Sequence, residues 1–277
     1  MASEVDLRAA INAVSDVVQN RPLPLREFDQ IYMKTGDMVM QSEFVARWAA
    51  GKRLAFVGDG DAISVCVSYL VARGILEEGP SMITVFDFDE RIVNAVKRFA
   101  SAENIHNLDA ELYNCLDAVP AVTAFDCFYT NPPWGASNGG ESVNLFVERG
   151  FELIGYGGDG LIVIADDLDL DWPKQVLHAV QKFATDSGFY VSRMTPRLHS
   201  YHLDDAPDLR SCNLIVSAVP GNARDTRSEA RDKGGLAHFY GRDRRPHVHY
   251  VRDISGRARG TERQEDYRFE LFEERST

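Results

Sequence analysis

The residues Asn131, Pro132, Pro133 and Trp134 form a short motif whose residue types suit the binding of an amine. The motif directly follows the apolar stretch Phe125–Tyr129, which predicts a buried strand. Two consecutive prolines hold the backbone extended where the chain leaves that strand. The asparagine oxygen can then accept a hydrogen bond from an amine, and the tryptophan ring can stack on a cation. The alternative is a proline-rich loop with a packed tryptophan, and the motif alone favours neither.

A second motif, Gly-Asp-Gly-Asp at residues 58–61, follows the apolar run Lys52–Val57 and precedes a helical pattern. A strand, a glycine turn and a helix in this order are typical of nucleotide-cofactor domains. Gly58 and Gly60 would let the backbone approach a ligand closely. The third small residue is Ala62, so the full GxGxxG pattern is absent, which disfavours a dinucleotide.

An acidic residue ends the second predicted strand, Met82–Phe86. Asp87 follows the glycine turn by about 20–30 residues, the spacing at which a carboxylate accepts hydrogen bonds from both ribose hydroxyls. Phe88 comes next, and we place both residues in a predicted nucleoside site. The structural alternative for Asp87 is a helix N-cap, but Asp89 is better placed to cap the predicted helix Glu90–Ala100.

Acidic residues follow the third and fifth predicted strands as well. Glu111–Asn114 predicts a strand that leads to Asp117, where an adenine would lie in this arrangement. Gly160–Ala165 predicts a fully buried strand, and Asp166 and Asp167 come directly after it. Because the carboxyl ends of parallel strands meet at one sheet edge, these last two carboxylates could anchor a cationic substrate there.

The order of these elements predicts the fold. Five strand–helix units in succession indicate a parallel, doubly wound α/β sheet. Phe189–Met194 and Asn213–Val219 would add a hairpin-like pair at one edge. The result is a mostly parallel, seven-stranded, Rossmann-like sheet of the class I S-adenosylmethionine methyltransferase type. The other predicted helices are Glu4–Gln19, Ser42–Ala50, Gly139–Ile154 and Gln175–Ala184.

These patterns divide the chain into three predicted parts. Residues 1–50 form a helical extension with too little apolar material for a core of its own. Residues 51–220 form the methyltransferase-like catalytic domain. Residues 221–277 form an irregular tail that is rich in arginine, aspartate and glycine and can bury little apolar surface by itself.

The tail nevertheless ends in an aromatic segment, Tyr267–Phe272. We expect part of the tail to pack over the cavity mouth near Trp134 and Asp166 as a substrate lid; docking elsewhere or a dimer contact is an equal alternative. His247 and His249 lie two residues apart, but no third spaced ligand supports a metal site. We therefore expect them to be solvated histidines.

The composition limits the partners. The 277 residues are 44% hydrophobic, enough for a sizeable core, and no apolar run approaches membrane-span length. The net charge is −12, with 17 basic and 31 acidic side chains before Gly221. This acidic body disfavours nucleic acid and favours a cationic substrate, although solubilising surface charge is the simpler explanation. Scattered cysteines predict reduced thiols, no metal and a cytoplasmic location: Cys66, Cys115, Cys127 and Cys212.

Several segments together resemble the branched-chain polyamine synthases, which are bis(aminopropyl)spermidine synthases. Members of this family transfer aminopropyl groups from decarboxylated S-adenosylmethionine to a secondary amine of spermidine. The matches cover most of Arg21–Val219 in order, and they are specific together although each alone is not. They are RPLPLREFDQIY at Arg21–Tyr32, VGDGD at Val57–Asp61, VFDFDERI at Val85–Ile92, DCFYTNPPW at Asp126–Trp134, LFVERG at Leu145–Gly150, and Ser211–Leu214.

The resemblance implies a class I methyltransferase-like fold with Asp59 and Asp61 as an acidic pair at the reaction centre and Asp87 on the ribose. Asn131–Trp134 would lie where the family has Asp-Pro-Pro-Tyr, so an amide replaces a carboxylate at the amine centre. No segment ahead of Arg21 resembles the family's N-terminal winged-helix-like domain. The implied co-substrate is decarboxylated S-adenosylmethionine, without a metal.

Three functions remain open from the sequence: aminopropyl transfer to a polyamine, S-adenosylmethionine-dependent N-methylation of an amine, amide or base, and ligand binding without catalysis. A protonated polyamine nitrogen needs a carboxylate to take its proton, whereas an amide needs only acceptors such as Asn131. The aspartates near strand ends favour the polyamine, Asn131 favours methylation, and the intact motifs disfavour the third function. Because the resemblance extends beyond the shared fold, we expect aminopropyl transfer, with N-methylation as the alternative. The expected partner is a cationic small-molecule amine, and the sequence is compatible with a homodimer.

Overall fold

A computed structural model describes residues 5–120, 125–204, 206–225, 227–232, 238–240, 247–255 and 266–272. Within these ranges, no helix combines the length and apolar character needed to cross a membrane. The helices are α1 (Leu7–Asn20), α2 (Thr35–Trp48), α3 (Ile63–Ala72), α4 (Glu90–Ala102), α5 (Glu141–Leu153) and α6 (Asp171–Asp186), with a short 3₁₀ turn at Arg26–Phe28. The strands are β1 (Arg53–Val57), β2 (Met82–Asp87), β3 (Leu108–Leu112), β4 (Cys127–Thr130), β5 (Asp159–Ala165), β6 (Phe189–Ser200), β7 (Arg210–Ala218), β8 (Val248–Asp253) and β9 (Tyr267–Leu271).

A seven-stranded sheet with the order β3-β2-β1-β4-β5-β7-β6 forms the centre of the molecule. Strands β1 to β5 are parallel, and β7 is antiparallel to both β5 and β6. The predicted doubly wound sheet of the class I methyltransferase type, with its closing pair at one edge, is confirmed. The strand order reverses between β1 and β4. In open α/β sheets, ligands bind at the carboxyl ends of the strands at such a point.

The packing of β4 fixes where the asparagine motif leaves the sheet. Phe128 fills space that only glycine leaves open, because a Cβ at Gly160 on β5 would lie 2.3 Å from its Cε1. The Thr130 hydroxyl donates a hydrogen bond of 2.7 Å to the Val57 carbonyl and ties the end of β4 to the end of β1. The glycine turn and the asparagine motif therefore leave the same sheet edge side by side.

Helices α1 and α2 bury their apolar faces in the same core as the sheet. Val14 of α1 and Val45 of α2 are fully buried in one cluster with Leu54 of β1. A second cluster on the other face of the sheet contains Phe151, and it also takes in Phe239 from beyond residue 220. Both ends of the chain thus contribute to the packing around the central sheet.

Some element bounds differ from the predicted ones for local reasons. The third strand is Leu108–Leu112 and ends before Asn114, whose side-chain oxygen accepts a 2.9 Å bond from the Leu116 amide and turns the chain. Helix α6 begins four residues before Gln175, because Pro173 fits the first turn of a helix. Helix α2 also begins earlier than predicted, and β6 continues to Ser200 through two bulges.

The tail, predicted to be irregular, contains two paired strands. β8 and β9 pair antiparallel, and Val248 and Val251 are buried against the second core cluster. The Val251 amide also donates a 3.1 Å bond to the Phe88 carbonyl. A bulge between Val248 and Tyr250 breaks the alternation of buried and exposed residues, which is the pattern by which a strand is recognised in a sequence.

Candidate active site

A cavity of about 480 Å³ opens at the carboxyl ends of β1, β2 and β4. We call the part formed by Asp87, Phe88 and Tyr240 the Asp87 end. The Asn131 end is formed by Asp61, Asn131, Trp134, Trp172 and Tyr201. The predicted site residues that line the cavity are Gly58, Asp59, Gly60, Asp61, Asp87, Phe88, Asn131, Pro132 and Trp134.

Asp87 is buried and accepts two backbone hydrogen bonds. Its Oδ2 accepts from the Asp59 amide at 3.0 Å and its Oδ1 from the Asp89 amide at 2.9 Å. Burial and the neighbouring Asp89 carboxylate raise the pKa of Asp87 to about 7. Each carboxylate oxygen keeps a second lone pair, so Asp87 can still accept two hydroxyl hydrogens. Asp89 caps α4 by accepting from the Arg91 amide at 3.1 Å, which confirms that the capping role falls to Asp89.

Aromatic rings surround the Asp87 end. Phe88 stacks on Tyr240 with ring centroids 5.6 Å apart, and Phe28 meets both rings edge-on at 5.2 and 5.1 Å. All three residues line the cavity. Stacked and edge-on rings provide the flat apolar walls that a heterocyclic base prefers. Phe28 and Tyr240 were not among the predicted site residues, and Tyr240 lies in the tail, where no periodicity marks it.

The carboxylate of Asp59 holds the start of α3. Its Oδ1 accepts from the Ile63 amide at 2.9 Å, and its Oδ2 accepts from both the amide and the hydroxyl of Ser64. Ala62, the residue before the helix, has a left-handed backbone and no capping side chain, so Asp59 supplies the cap. Burial raises the pKa of Asp59 well above its usual value. The carboxylate of Asp59 therefore already accepts hydrogen bonds from three donors at the start of α3.

Asp61 forms the floor of the Asn131 end together with the asparagine. Its Oδ1 accepts from the Met33 amide at 2.7 Å, and its Oδ2 accepts from Asn131 Nδ2, also at 2.7 Å. Arg21 donates a 3.1 Å bond to the Asp61 carbonyl. Burial raises the pKa of Asp61, while the Met33 bond and the Arg21 charge act in the opposite direction. An aspartate at position 131 would place a second carboxylate here, whereas the amide donates to the first.

Three aromatic rings form a wall beside this floor. Trp134 stacks on Trp172 at 6.5 Å and meets Tyr201 edge-on at 5.1 Å. Within the described residues, the indole N–H of Trp134 is buried without a hydrogen-bond partner. Ring faces of this kind attract an alkylammonium group. Sequence reasoning found Trp134 by its motif but missed Trp172 and Tyr201, which start α6 and follow β6, because neither lies in a recognisable pattern.

Two predicted substrate-binding residues do not line the cavity. Asp166 is buried at the end of β5, where its Oδ2 accepts from the Arg197 amide at 2.9 Å. Asp167 accepts from the amides of Asp169 at 2.8 Å and Leu170 at 3.1 Å and forms the turn before α6. Both carboxylates thus accept hydrogen bonds from backbone amides next to the site and do not line the cavity.

Asp117, predicted near the adenine, also lies outside the cavity lining. Its Oδ2 accepts from His249 Nε2 at 2.6 Å and from the Tyr250 hydroxyl at 3.2 Å, so it binds β8. The His249 ring stacks between Tyr250 and Phe272, at 3.9 and 4.2 Å. The prediction of a solvated histidine is therefore wrong for His249, whereas His247 is exposed.

The tail reaches the cavity from the Asp87 end. His238 and Tyr240 line the cavity, and the Phe239 carbonyl accepts a 2.8 Å bond from the Ser142 hydroxyl. The ring contacts of Tyr240 beyond the tail are with Phe28 and Phe88, not with Trp134. The expected packing of the tail near Trp134 and Asp166, and its role as a lid, stay predictions.

The described residues contain no group of three or more histidine, cysteine, aspartate or glutamate side chains arranged to hold a metal ion. The acidic groups Asp59, Asp61 and Asp87 at the cavity are instead held by amide donors.

A match to a protein-family model shows which family the chain belongs to. A family model described as the branched-chain polyamine synthase A C-terminal domain matches residues 9–227. The chain belongs to the branched-chain polyamine synthase family. The match takes in the Asn131 end, Asp87 and Phe88 of the Asp87 end, and every strand of the seven-stranded sheet, whereas Tyr240 lies beyond it.

Named members of the branched-chain polyamine synthase family are similar to this chain over part of their length. The N(4)-bis(aminopropyl)spermidine synthase of Thermococcus kodakarensis is 29% identical over 143 residues, which cover 50% of this chain and 38% of that protein. The enzyme of the same name from Thermus thermophilus is 25% identical over 187 residues, 66% of this chain and 50% of that protein. The chain thus matches half or less of the length of these curated relatives.

A solved structure from the branched-chain polyamine synthase family shares the fold. It is the C9 mutein of the Thermus thermophilus synthase, in complex with N4-aminopropylspermidine and 5'-methylthioadenosine. The TM-score is 0.68 at 20% identity, and the superposition covers 86% of this chain and 70% of that one. At this identity the likeness establishes the architecture.

Proposed function

We propose that this protein is an aminopropyltransferase that moves the aminopropyl group of decarboxylated S-adenosylmethionine to an amine of a polyamine such as spermidine. The observation that carries the proposal is the Asn131 end. A buried carboxylate, Asp61, lies there beside an aromatic wall, at the sheet edge that also holds Asp87. The names of the curated relatives and the polyamine in the related crystal structure point the same way.

The donor nucleoside would occupy the Asp87 end. Asp87 would accept hydrogen bonds from the two ribose hydroxyls, and Phe28, Phe88 and Tyr240 would enclose the base. Gly58 has φ 75°, a backbone conformation that glycine adopts readily, so the turn can approach the ligand without a side chain in the way. Asp117 does not reach this part of the cavity, so the base would be held mainly by its faces.

The acceptor amine would lie at the Asn131 end, where transfer is a direct displacement. The amine nitrogen attacks the carbon next to the sulfonium, an N–C bond forms, and the C–S bond breaks. The electron pair of that bond returns to sulfur and gives neutral methylthioadenosine. Asp61 would take the proton that the amine loses, and burial, which raises its pKa, makes it a stronger base. Trp134 and Trp172 would hold the alkylammonium portion of the acceptor.

The same floor favours a donor without a carboxylate. A methionine carboxylate on the donor would extend from the sulfonium toward Asp61, and two like charges in a buried site repel each other strongly. The Asp59 carboxylate is engaged in capping α3. Of the acidic pair, Asp61 would therefore be the proton acceptor.

The second candidate is N-methylation, which Asn131 specifically favours. An amide oxygen can accept a hydrogen bond from a neutral amine or amide that needs no strong base. This reading requires the cavity to accept intact S-adenosylmethionine despite Asp61.

Calorimetry with S-adenosylmethionine and its decarboxylated form, side by side, separates the two candidates. The aminopropyltransferase should bind the decarboxylated donor at least about tenfold more tightly, a difference of roughly 1.4 kcal/mol. Mass spectrometry after incubation with spermidine should then show the mass of an added aminopropyl group. Equal binding of both donors with a methylated product would replace the proposal by the second candidate, and binding without any product would leave a ligand-binding protein.

A further inference from the structure

A continuous chain of buried polar side chains lies behind the aromatic wall. The Tyr201 hydroxyl contacts Ser211 Oγ at 2.8 Å, and Ser211 Oγ contacts His199 Nδ1 at 2.9 Å. His199 Nε2 contacts Gln41 Oε1, also at 2.9 Å. Gln41 and Asn213 then pair their amides through two bonds of 2.9 and 2.8 Å. None of these five side chains is more than 3% exposed.

The Gln41 side chain determines the direction of each hydrogen bond between it and Tyr201. Gln41 Oε1 can only accept, so His199 Nε2 carries the hydrogen and donates it. Burial lowers the pKa of His199 to about 4, so the ring is neutral and its Nδ1 is an acceptor. Ser211 must therefore donate to His199, and its oxygen is left to accept from Tyr201.

These bond directions determine how the Tyr201 hydroxyl can interact with a ligand in the cavity. The Tyr201 hydroxyl donates its hydrogen to Ser211, so toward any other group its oxygen can act only as an acceptor. The ring lines the cavity and meets Trp134 edge-on at 5.1 Å. Burial and then the nearby Asp61 charge raise the pKa of Tyr201, while hydrogen bonds with Ser211 and Asn131 lower it, so the hydroxyl lies close to the floor of the Asn131 end.

We propose that His199 and Ser211 are positioning residues that hold the Tyr201 hydroxyl as a pure hydrogen-bond acceptor, and that Tyr201 thereby selects a hydrogen-bond-donating, cationic amine at the Asn131 end. This inference rests on the proposed function, since it concerns the acceptor of that reaction. It adds a specificity determinant that belongs to neither the asparagine motif nor the glycine turn.

The Tyr201 hydroxyl and an ammonium group would have matching hydrogen-bond polarity. An ammonium group carries only donors, and it meets acceptors at Asp61 and, by this inference, at Tyr201. If the tyrosine hydrogen pointed into the cavity, its positive end would face the cation. Without Ser211, the hydroxyl loses the acceptor that the described residues provide and can turn its hydrogen toward the cavity. Loss of Ser211 should therefore harm cation binding at least as much as loss of the hydroxyl itself.

Calorimetric binding of spermidine to the full chain saturated with methylthioadenosine tests this inference without relying on turnover. Tyr201→Phe keeps the ring and removes the oxygen, and it should weaken spermidine binding about tenfold, as for one hydrogen bond to a charged group. Ser211→Ala should weaken it as much or more. The double variant should equal Tyr201→Phe, because Ser211 acts only through the hydroxyl.

Methylthioadenosine binding is the internal control, and it should stay within about twofold in all three variants. Ser217→Ala is the matched control: it lies on the same strand, and its hydroxyl bonds Asp159 at 2.7 Å, away from the cavity. It should leave spermidine binding unchanged.

Additive losses in the double variant would show that Ser211 acts by general packing and would overturn the inference. Unchanged binding in Tyr201→Phe would do the same. If the unmodified protein binds methylthioadenosine but no spermidine, the proposed function fails instead, which separates the two failures.

Discussion

The two ends of the cavity are built in different ways. The carboxylate of the Asp87 end lies between the turn after β1 and the end of β2, where Asp87 is held by the backbone amides of Asp59 and Asp89. The Asn131 end joins side chains from distant parts of the sequence: Asp61 bonds Asn131, and Trp134 contacts Tyr201. A carboxylate fixed by backbone amides at the ends of adjacent strands is general to a fold, whereas a pocket assembled from distant side chains can change with the acceptor.

The largest effect should come from the floor of the Asn131 end. Asp61→Asn preserves the size of the side chain and removes the base, so turnover should fall by about 10²–10⁴-fold. The affinity for methylthioadenosine should stay within about threefold, because the Asp87 end is untouched. Single-turnover assays with calorimetry on the same samples give both values. A parallel loss of nucleoside affinity and turnover would mean that the two ends are not independent.

Asp87→Ala is the mirror experiment. It removes a carboxylate that would accept from both ribose hydroxyls, and methylthioadenosine affinity should fall about 10–100-fold. The affinity for spermidine alone should change little. Unchanged nucleoside binding in this variant would remove Asp87 from the donor site.

The contrast explains how much the sequence could tell. The succession of strands and helices, the glycine turn and Asp87 follow from local spacing, since each depends on residues close together in the chain. The asparagine motif was predictable for the same reason. By contrast, the strand pair β8–β9 was not predicted, because a bulge between Val248 and Tyr250 breaks the alternation of buried and exposed residues.

The side chains at the site show a second limit of sequence reasoning. Asp59 and Asp61 are equivalent in a Gly-Asp-Gly-Asp motif, yet one caps α3 through Ile63 and Ser64 and the other bonds Asn131. The direction of a side chain depends on tertiary contacts that spacing does not record. Trp172 and Tyr201 have no motif at all, and only the packing against Trp134 reveals them.

The pH dependence of nucleoside binding sharpens the account of the Asp87 end. The pKa of Asp87 is raised to about 7, so the carboxylate is mostly protonated at pH 6 and ionised at pH 8. Ribose hydroxyls donate to the ionised form, so methylthioadenosine affinity should rise about tenfold over this interval. In the unliganded protein the sign is opposite: the stability from the raised pKa is present below about pH 4 and lost as the pH rises through about 7.

Asp87→Asn is the control for this pH effect. Its amide does not titrate, so both the rise in nucleoside affinity and the loss of stability attributable to residue 87 should disappear. Calorimetry and urea unfolding at pH 5, 6 and 8 measure the two quantities. A rise in affinity that persists in the asparagine variant would belong to another group.

Asn131→Asp asks what the amide contributes to the other end. A second carboxylate next to Asp61 should raise the pKa of the pair and strengthen the attraction for a polycation. We expect spermidine affinity to increase about fivefold, roughly 1 kcal/mol, and the unliganded protein to become slightly less stable. Weaker spermidine binding would show that the Asn131–Asp61 bond itself is what the acceptor requires.

The smallest effect is expected where the structure and the sequence prediction differ most. Asp167 was predicted to bind substrate, but its carboxylate accepts from the amides of Asp169 and Leu170 and forms a turn. Asp167→Ala should therefore cost about 1 kcal/mol of stability, as for loss of a capping residue. The KM for spermidine should change less than about twofold. Asp167→Asn keeps one accepting oxygen and should recover most of the stability. A spermidine KM that rises severalfold in both variants, with little loss of stability, would return Asp167 to the substrate site and extend the acidic floor beyond Asp61.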